Sequence, residues 1–238
     1  MSDMISIGRG PATAVQFLGS LIDAGRTDDP AGDQLVLTPV EIVPEIRLHL
    51  AVDAILFWAR LEAAAKSRLA APLWASAWPG GQAVARYILD HPQLVGGKTV
   101  LDIGSGSGLA AIAAARAGAR AVANDIDPLA IAATELNALA NGADVAPCLG
   151  DVLSGTGREA DVVLVGDAFY NADITAVVLP YLQRVKEAGG DVLIGDPGRG
   201  HLPPRGLELL ATYRSPDFGS FGDAYIDRAH VFALSGTP

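Results

Sequence analysis

The chain has 238 residues, half of them hydrophobic, which suits one main domain with a sizeable core and an N-terminal appendage. Its net charge of −10 at pH 7 argues against a broad basic surface for nucleic acid. No apolar run is long enough to predict a helix that crosses a membrane.

The first 70 residues are expected to form a helical extension that caps the main domain, which is assigned to residues 71–238. Sequence patterns predict frayed residues at 1–10, a helix at 12–24, an extended edge or loop at 34–43, and a helix from 44 to about 68. This part contains no glycine turn of the cofactor-binding type, so we expect it to help shape the substrate entrance.

Two tryptophans flank small residues in the segment WASAWPGGQ at 74–82. A helix is predicted at 83–89 and should stop at His91 because a proline follows. Trp74 and Trp78 suit either two core aromatics beside a turn or an aromatic wall of a ligand pocket. A tryptophan face binds a sulfonium or ammonium cation well.

The chain is organised around residues 99–127. The predicted parts are a strand at 99–101, a turn built on Gly104, Gly106 and Gly108, a helix at 109–117, and a second strand at 121–125. Such a turn allows close approach of a ligand to the free N–H groups that begin a helix. Asp125 ends the second strand, where its carboxylate can accept both hydroxyls of a ribose. The stretch therefore predicts a site for a nucleoside-containing cofactor.

Further elements continue the alternation of strands and helices. They are a helix at 128–140, strands at 145–149, 161–165 and 191–194, helices at 174–186 and 207–213, and two final strands near 215–218 and at 224–234. The alternation predicts an α/β fold with a doubly wound, mostly parallel sheet. Two final strands with no helix between them predict an antiparallel C-terminal edge.

Acidic residues follow the predicted strands at the edge where a ligand would bind. Ile126 comes directly after Asp125 and can lie against an adenine, and Asp151 can accept a hydrogen bond from the adenine amino group. A capping role for Asp125 is the alternative, but Asp127 suits that role better. Asp167 follows the fourth strand and should face the reacting group.

The spacing of the glycines separates two classes of nucleoside cofactor. The dinucleotide fingerprint G-x-G-x-x-G needs a third glycine where this chain has Leu109. Asp102 also stands two positions before Gly104, where a carboxylate would repel a pyrophosphate. The pattern D-x-G-x-G-x-G instead resembles class I S-adenosylmethionine-dependent methyltransferases. That resemblance implies S-adenosyl-L-methionine as the cofactor and S-adenosyl-L-homocysteine as its product, and disfavours a nicotinamide oxidoreductase.

Several segments together make the resemblance more specific. They are WPGGQA at 78–83, VLDIGSGSG at 100–108, ANDIDP at 123–128, GDAFY at 166–170 and LIGDPGR at 193–199. These segments resemble the family-16, seven-β-strand protein lysine methyltransferases over about residues 40–200. Within that family the pattern is most similar to the enzymes that act on the β subunit of electron transfer flavoprotein. Residues 1–38 resemble nothing in the family.

The resemblance implies methyl transfer to a lysine ε-amine of a protein substrate, with the electron transfer flavoprotein β subunit as the expected partner. GDAFY fits the family's D-x-x-Y/F motif, which implies Asp167 and Tyr170 as the catalytic residues. The predicted cofactor-binding residues are Trp78, Asp102, Gly104, Ser105, Gly106, Gly108, Asp125, Ile126, Asp151, Val152 and Gly166. The predicted substrate-binding residues are Trp74, Phe169, Asp196 and Arg199. For Asp196 and Arg199 a turn-stabilising role fits equally well, and no metal site is expected.

Two alternatives stay open at this point. ANDIDP alone also resembles the ribosomal protein L11 methyltransferases, so another acceptor, protein or small molecule, is the first. A module that binds S-adenosylmethionine without turnover is the second. Cys148 is the single cysteine, and no signal peptide is evident, so we expect a cytoplasmic protein. The target lysine, the number of methyl groups and the oligomeric state do not follow from the sequence.

Overall fold

The computed structural model describes residues 11–24, 32–216, 218, 220–221 and 224–235, so the prediction for residues 1–10 lies outside the described residues. Its helices are α1 (Pro11–Ala24), α2 (Ala54–Ala65), α3 (Pro79–Asp90), α4 (Leu109–Arg116), α5 (Pro128–Ala140) and α6 (Ala172–Glu187). Its strands are β1 (Leu35–Val40), β2 (Val43–Ala51), β3 (Thr99–Ile103), β4 (Arg120–Asp125), β5 (Val145–Leu149), β6 (Val162–Gly166), β7 (Asp191–Asp196), β8 (Leu207–Arg214), β9 (Ser220–Phe221), β10 (Ala224–Tyr225) and β11 (Arg228–Leu234).

Seven strands form one sheet in the order β5-β4-β3-β6-β7-β11-β8. The first five are parallel, whereas β11 is antiparallel to both of its neighbours. The predicted doubly wound sheet with an antiparallel C-terminal edge is confirmed. The strand order reverses between β3 and β6, and a crevice forms at the carboxyl ends of the strands beside such a reversal. The glycine turn after β3 and Asp167 after β6 therefore lie on adjacent strands at this edge.

Helices cover both faces of the sheet because successive strand residues point to opposite sides. Val100 and Leu164 pack with α3 and α4 on one face. Leu101 and Val163 pack with α6 on the other face. The central strands are consequently buried on both sides, which explains their nearly continuous apolar sequences and fixes the positions of the loops that follow them.

The structure corrects the prediction of a helix from residue 44. Residues Val43–Ala51 form β2, which pairs with β1 as an antiparallel hairpin. Ile46 and Leu48 are buried while Glu45 and Arg47 are exposed, and this alternation is the period of a strand. The helix begins only at α2, where the Asp53 carboxylate accepts hydrogen bonds from the first-turn N–H groups.

The C-terminal part also differs from the prediction. The helix expected at 207–213 is wrong, because β8 occupies Leu207–Arg214 and pairs with β11. Residues 215, 216 and 218 lie outside any strand, and the strand expected at 224–234 is divided into β10 and β11. Helix α3 begins at Pro79, four residues before its predicted start.

None of the helices within the described ranges has the length and apolar character that a membrane span requires. Across those same ranges, no group of histidine, cysteine and carboxylate side chains is arranged to hold a metal ion. The division into residues 1–70 and 71–238 stays a prediction.

Candidate active site

The glycine turn after β3 has the backbone conformation that the sequence predicts. Gly104, Gly106 and Gly108 have φ values of +61°, +53° and +80°, a region that favours glycine. At Gly108 a side chain would also collide with a neighbour, because a Cβ there would lie 2.7 Å from Cγ2 of Thr134. Glycine at this position is therefore required both by the backbone angle and by the packing of α5.

Two polar residues of α5 hold the turn from beneath, and the sequence interpretation missed both. The Thr134 hydroxyl donates to the Gly106 carbonyl at 3.2 Å, and Asn137 Nδ2 donates to the Ser107 carbonyl at 2.8 Å. The sequence signal for them is a threonine and an asparagine, three residues apart, in a helix that is otherwise mostly apolar, and the structure shows both to be buried. They fix the turn in the shape that a ligand meets.

Two carboxylates lie on either side of the turn. Asp125 Oδ2 accepts from the Gly106 N–H at 3.0 Å, and its Oδ1 accepts from the Asp127 N–H at 3.0 Å. Asp102 is buried, and its Oδ2 accepts from the Ala111 N–H at 3.1 Å. Burial raises the pKa of Asp102 to about 7, and the charge of Asp125 adds to the rise. The site therefore favours a cationic group beside the turn.

The residues that follow β4 and β5 line the part of the site next to the glycine turn. Asp125 pairs with Leu149 in the sheet, so Asp151 follows two residues beyond the same edge. The Asp151 side chain is exposed and accepts from the Leu153 N–H at 2.8 Å, while Val152 is half-buried. Ile126 is 75% exposed, an open apolar surface between two carboxylates. Asp127 caps α5 by accepting from the Leu129 N–H at 2.8 Å, as the sequence predicts.

Two observations of the site suit the binding of S-adenosylmethionine. A Cβ built on Gly104 meets no atom of the described residues within 4 Å, so the turn faces open space there. Ser105 Oγ is buried and has no hydrogen-bond partner among the described residues, as a group that awaits a ligand would be. The carboxylates of Asp102 and Asp125 suit the ammonium and ribose groups, and Ile126 suits the adenine.

Asp167 is held in an uncommon conformation at the end of β6. Its φ is +55°, and outside glycine the described residues share such an angle only at Lys66. Its N–H donates to the Gly195 carbonyl at 2.9 Å, and its Oδ2 accepts from the Gly81 N–H at 2.9 Å. The side chain is 8% exposed, and burial raises its pKa. The positive φ thus directs a desolvated carboxylate toward the first turn of α3.

The sequence WPGG makes this close contact possible. A Cβ on Gly80 would lie 2.4 Å from the Gly195 carbonyl oxygen and 2.6 Å from Asp167 Oδ2. Gly166 is equally close to α3, since a Cβ there would lie 2.7 Å from the Gly81 Cα. Glycines at these positions allow the N-terminus of α3 to approach the ends of β6 and β7, where the Gly81 N–H donates to Asp167.

Arg199 lies against Asp167. The distance from Arg199 Nη1 to Asp167 Oδ1 is 2.5 Å, and the guanidinium carbon lies 5.6 Å from the centre of the Trp78 ring. Trp78 is half-buried and donates its indole N–H to the Leu73 carbonyl at 2.7 Å. The ion pair and the ring contact together join three residues that the sequence predicts separately, and their spacing in the sequence does not indicate this contact.

Asp196 is turn-stabilising, one of the two roles left open for it. It is 0% exposed, and its Oδ1 accepts from the N–H groups of Gly198 and Arg199 at 2.6 and 3.2 Å. Burial raises the pKa of Asp196. Its position beneath the loop favours this role over a contact with the substrate.

Two other predicted substrate contacts also lie beneath the surface. Phe169 is fully buried among the side chains that join β6 to α6, so it supports the site from below. Trp74 is 2% exposed, packs edge-on against Phe57, and supports the turn at Gly106, where a Cβ would lie 3.6 Å from its Cα. Tyr170, by contrast, is 46% exposed and available to a substrate.

Proteins named as methyltransferases are similar to this chain in sequence. The family described as Ribosomal protein L11 methyltransferase (PrmA) matches residues 87–193. The electron transfer flavoprotein beta subunit lysine methyltransferase of Rattus norvegicus is 43% identical over 183 residues, which cover 74% of this chain and 71% of the relative. The Homo sapiens protein of the same name is 44% identical over 179 residues, covering 72% and 68%.

This chain is also similar to a solved structure. The ribosomal protein L11 methylase from Lactobacillus delbrueckii subsp. bulgaricus is 22% identical, with a TM-score of 0.47, and the match covers 66% of this chain and 78% of that one. The sequence relatives are much closer and extend over most of both chains. The protein is an S-adenosylmethionine-dependent methyltransferase, and it belongs to the family of the electron transfer flavoprotein β-subunit lysine methyltransferases.

Proposed function

We propose that this protein transfers a methyl group to lysine ε-amines of the electron transfer flavoprotein β subunit. The names of the relatives support that substrate. The observation that carries the proposal is the placement of Asp167, a buried carboxylate one strand away from the cofactor turn, whose partner Arg199 lies against the Trp78 ring. A position where a cation meets both a carboxylate and a tryptophan face is suitable for an alkylammonium group.

The cofactor supplies an electrophilic methyl group on a sulfonium centre. The backbone of the turn from Gly104 to Gly108 takes its amino acid part, with Asp102 beneath for the ammonium. Asp125 accepts from the ribose hydroxyls, and Asp151 and Ile126 hold the adenine. The two carboxylates beside the turn and the open face of Ile126 support these proposed roles.

The lysine must lose a proton before it can attack carbon. With a pKa of about 10.4, only about 0.04% of a free lysine is neutral at pH 7. Asp167 binds the arriving ammonium and directs it toward the methyl group, but a carboxylate alone stabilises the charged form. Its role is therefore orientation, and the proton leaves to water. Attack by the neutral amine on the methyl group of bound S-adenosylmethionine would form the N–C bond as the S–C bond breaks, with S-adenosyl-L-homocysteine as the leaving group.

Tyr170 and Trp78 define the channel for the lysine side chain. Tyr170 stands directly before Asn171, the residue that caps α6, and its exposed ring narrows the entrance. Placing the amine in line with the methyl group supplies several kcal/mol of the rate acceleration. The four apolar methylene groups of a lysine suit an aromatic channel that ends at a carboxylate.

The proposal is tested by incubating the protein with labelled S-adenosylmethionine and purified electron transfer flavoprotein, followed by mass spectrometry of the β subunit. We expect methylated lysines in that subunit. Label on ribosomal protein L11 or on small molecules alone would favour another acceptor. Binding of S-adenosylmethionine with no label on any acceptor would indicate a binding module without turnover.

We propose a cytoplasmic location for this activity. The support is the cysteine content of the sequence, because a single cysteine cannot form an internal disulfide and suits a reducing compartment. Fractionation of the source cells, followed by detection of the protein in each fraction, tests the location.

A further inference from the structure

The ion pair of Arg199 with Asp167 occupies the place that the proposed function gives to the lysine ammonium. The guanidinium lies between the two groups that suit a cation, the Asp167 carboxylate at 2.5 Å and the Trp78 ring at 5.6 Å. A lysine ammonium that reaches Asp167 from the surface meets the same carboxylate and the same ring. Two cations cannot both occupy this position.

We propose that Arg199 is an internal substitute for the substrate lysine, which leaves the Asp167–Trp78 position when the lysine arrives. The inference rests on the proposed function, since it takes Asp167 as the partner of the lysine. Arg199 would then determine substrate specificity, because only a lysine whose ammonium group can displace the guanidinium reaches the Asp167 carboxylate.

The charges around the position explain why an internal cation is needed. Asp167 and Asp196 are both buried at the ends of neighbouring strands, and Arg199 faces both of them. Two buried carboxylates without a cation would be costly in the free protein. Arg199 stabilises them while the site is empty, and an arriving ammonium can take over that role.

The backbone of Arg199 is held more firmly than its side chain, which suits a guanidinium that moves away from Asp167. Its backbone is fixed by Asp196 Oδ1, which accepts from the N–H groups of Gly198 and Arg199. The guanidinium is held less completely, since Arg199 Nη2 is buried with no hydrogen-bond partner among the described residues. Its loop partners therefore stay in place when the side chain leaves Asp167.

The small cation n-butylammonium, a surrogate for the lysine side chain, tests internal substitution by Arg199 without any protein substrate. The Kd of n-butylammonium is measured at about pH 8 from the indole N–H signal of Trp78 in 15N-labelled protein. We expect Arg199→Gln to bind it about tenfold or more tightly than the wild type, because a charge-assisted partner is freed. Arg199→Met is a second neutral variant that keeps the aliphatic stem, should the glutamine variant not fold. Arg199→Lys restores a cation, so its Kd for n-butylammonium should be close to the wild-type value.

Two matched variants complete the experiment. Arg205→Gln removes a cation from the exposed part of the same loop and should leave the Kd at the wild-type value. The double variant Asp167→Asn/Arg199→Gln should lose the increased affinity for n-butylammonium. Unchanged affinity in both neutral variants, or a gain that persists without Asp167, would overturn the proposal.

The protein substrate supplies a readout that separates the two proposals. With electron transfer flavoprotein as substrate, Arg199→Gln should lower the KM for that protein and leave the Kd of S-adenosylmethionine unchanged. A raised KM would show that Arg199 binds the substrate directly and would contradict internal substitution. If the wild type methylates no flavoprotein, the proposed substrate fails, and the butylammonium result still decides whether Arg199 occupies a cation position.

Discussion

Asp125 Oδ2 accepts a hydrogen bond from the Gly106 N–H at 3.0 Å, so the acid at the end of β4 supports the turn at the end of β3. The two strands are adjacent and parallel, with Ile103 paired to Asn124. One carboxylate thereby holds the turn in shape and presents its remaining lone pairs to a ligand. The proposed role of Asp125 in cofactor binding would therefore couple that binding to order in the turn.

Asp125→Asn should weaken the binding of S-adenosylmethionine. Loss of a charge-assisted hydrogen bond costs about 1.5–3 kcal/mol, which corresponds to a Kd raised about tenfold to a hundredfold. Isothermal titration calorimetry measures the change. Asp144→Asn, an exposed acid at the opposite end of the neighbouring strand, serves as the control and should keep the wild-type Kd. Equal affinities of the two variants would contradict the role of Asp125.

Gly108→Ala should destabilise the fold more than Gly104→Ala. Both positions have positive φ, which costs an alanine about 1–2 kcal/mol. Only at Gly108 would the new Cβ also collide with Thr134, which adds about 1–3 kcal/mol of overpacking. Urea unfolding of the two variants gives the difference in the free energy of unfolding. Equal losses would show that the contact with Thr134 has no energetic consequence.

The stability contribution of Asp102 should fall as the pH rises. Its pKa is raised from the ordinary value to about 7 in the folded protein, so between about pH 4 and pH 7 the folded state holds a proton that the unfolded state has lost. The free energy of unfolding therefore decreases across that window and levels above it. At about 1.4 kcal/mol per unit, the decrease is about 3 kcal/mol between about pH 5 and pH 8.

Asp102→Asn removes this titration, and urea unfolding of wild type and variant at both pH values measures it. The variant should gain stability relative to the wild type as the pH rises. A difference between the two proteins that stays constant with pH would show that Asp102 titrates alike in the folded and unfolded chains.

The sequence predicted the parts of the fold where local pattern and tertiary environment agree. Helix α5 begins at Pro128 and ends at Ala140 as predicted, because Asp127 caps it and its apolar faces are buried. The strand at Val145–Leu149 is likewise confirmed. The alternation of buried strands with helices was sufficient to predict the sheet and the edge at which the site lies.

Tertiary pairing decided the elements that the sequence predicted wrongly. Residues 207–213 contain leucine, glutamate and alanine, which favour a helix, but pairing with β11 at the edge of the sheet makes them a strand. In β2 the alternation of Ile46 and Leu48 was overlooked beside the stronger helical pattern of α2. Both cases depend on a partner strand that is distant in sequence or joined by a tight turn.

The sequence likewise predicts some features of the candidate site and not others. Its main-chain turn and the acids after each strand follow from the motifs, since motif spacing sets backbone position. The depth of a side chain does not follow from spacing: Phe169 was expected to contact the substrate, Trp74 was expected either in the core or at a pocket wall, and both are buried. Contacts between separate loops, such as that of Arg199 with Asp167, depend on how the loops fold over one another.

The central claim is that Asp167 orients the substrate lysine without contributing to cofactor binding. The most direct measurement is the rate of methyl transfer to electron transfer flavoprotein by Asp167→Asn, alongside its Kd for S-adenosylmethionine and with Asp173→Asn, an exposed acid of α6, as control. We predict an unchanged Kd and a rate at least about a hundredfold lower, because the amine is no longer positioned. Methyl transfer at the wild-type rate by Asp167→Asn would contradict the account.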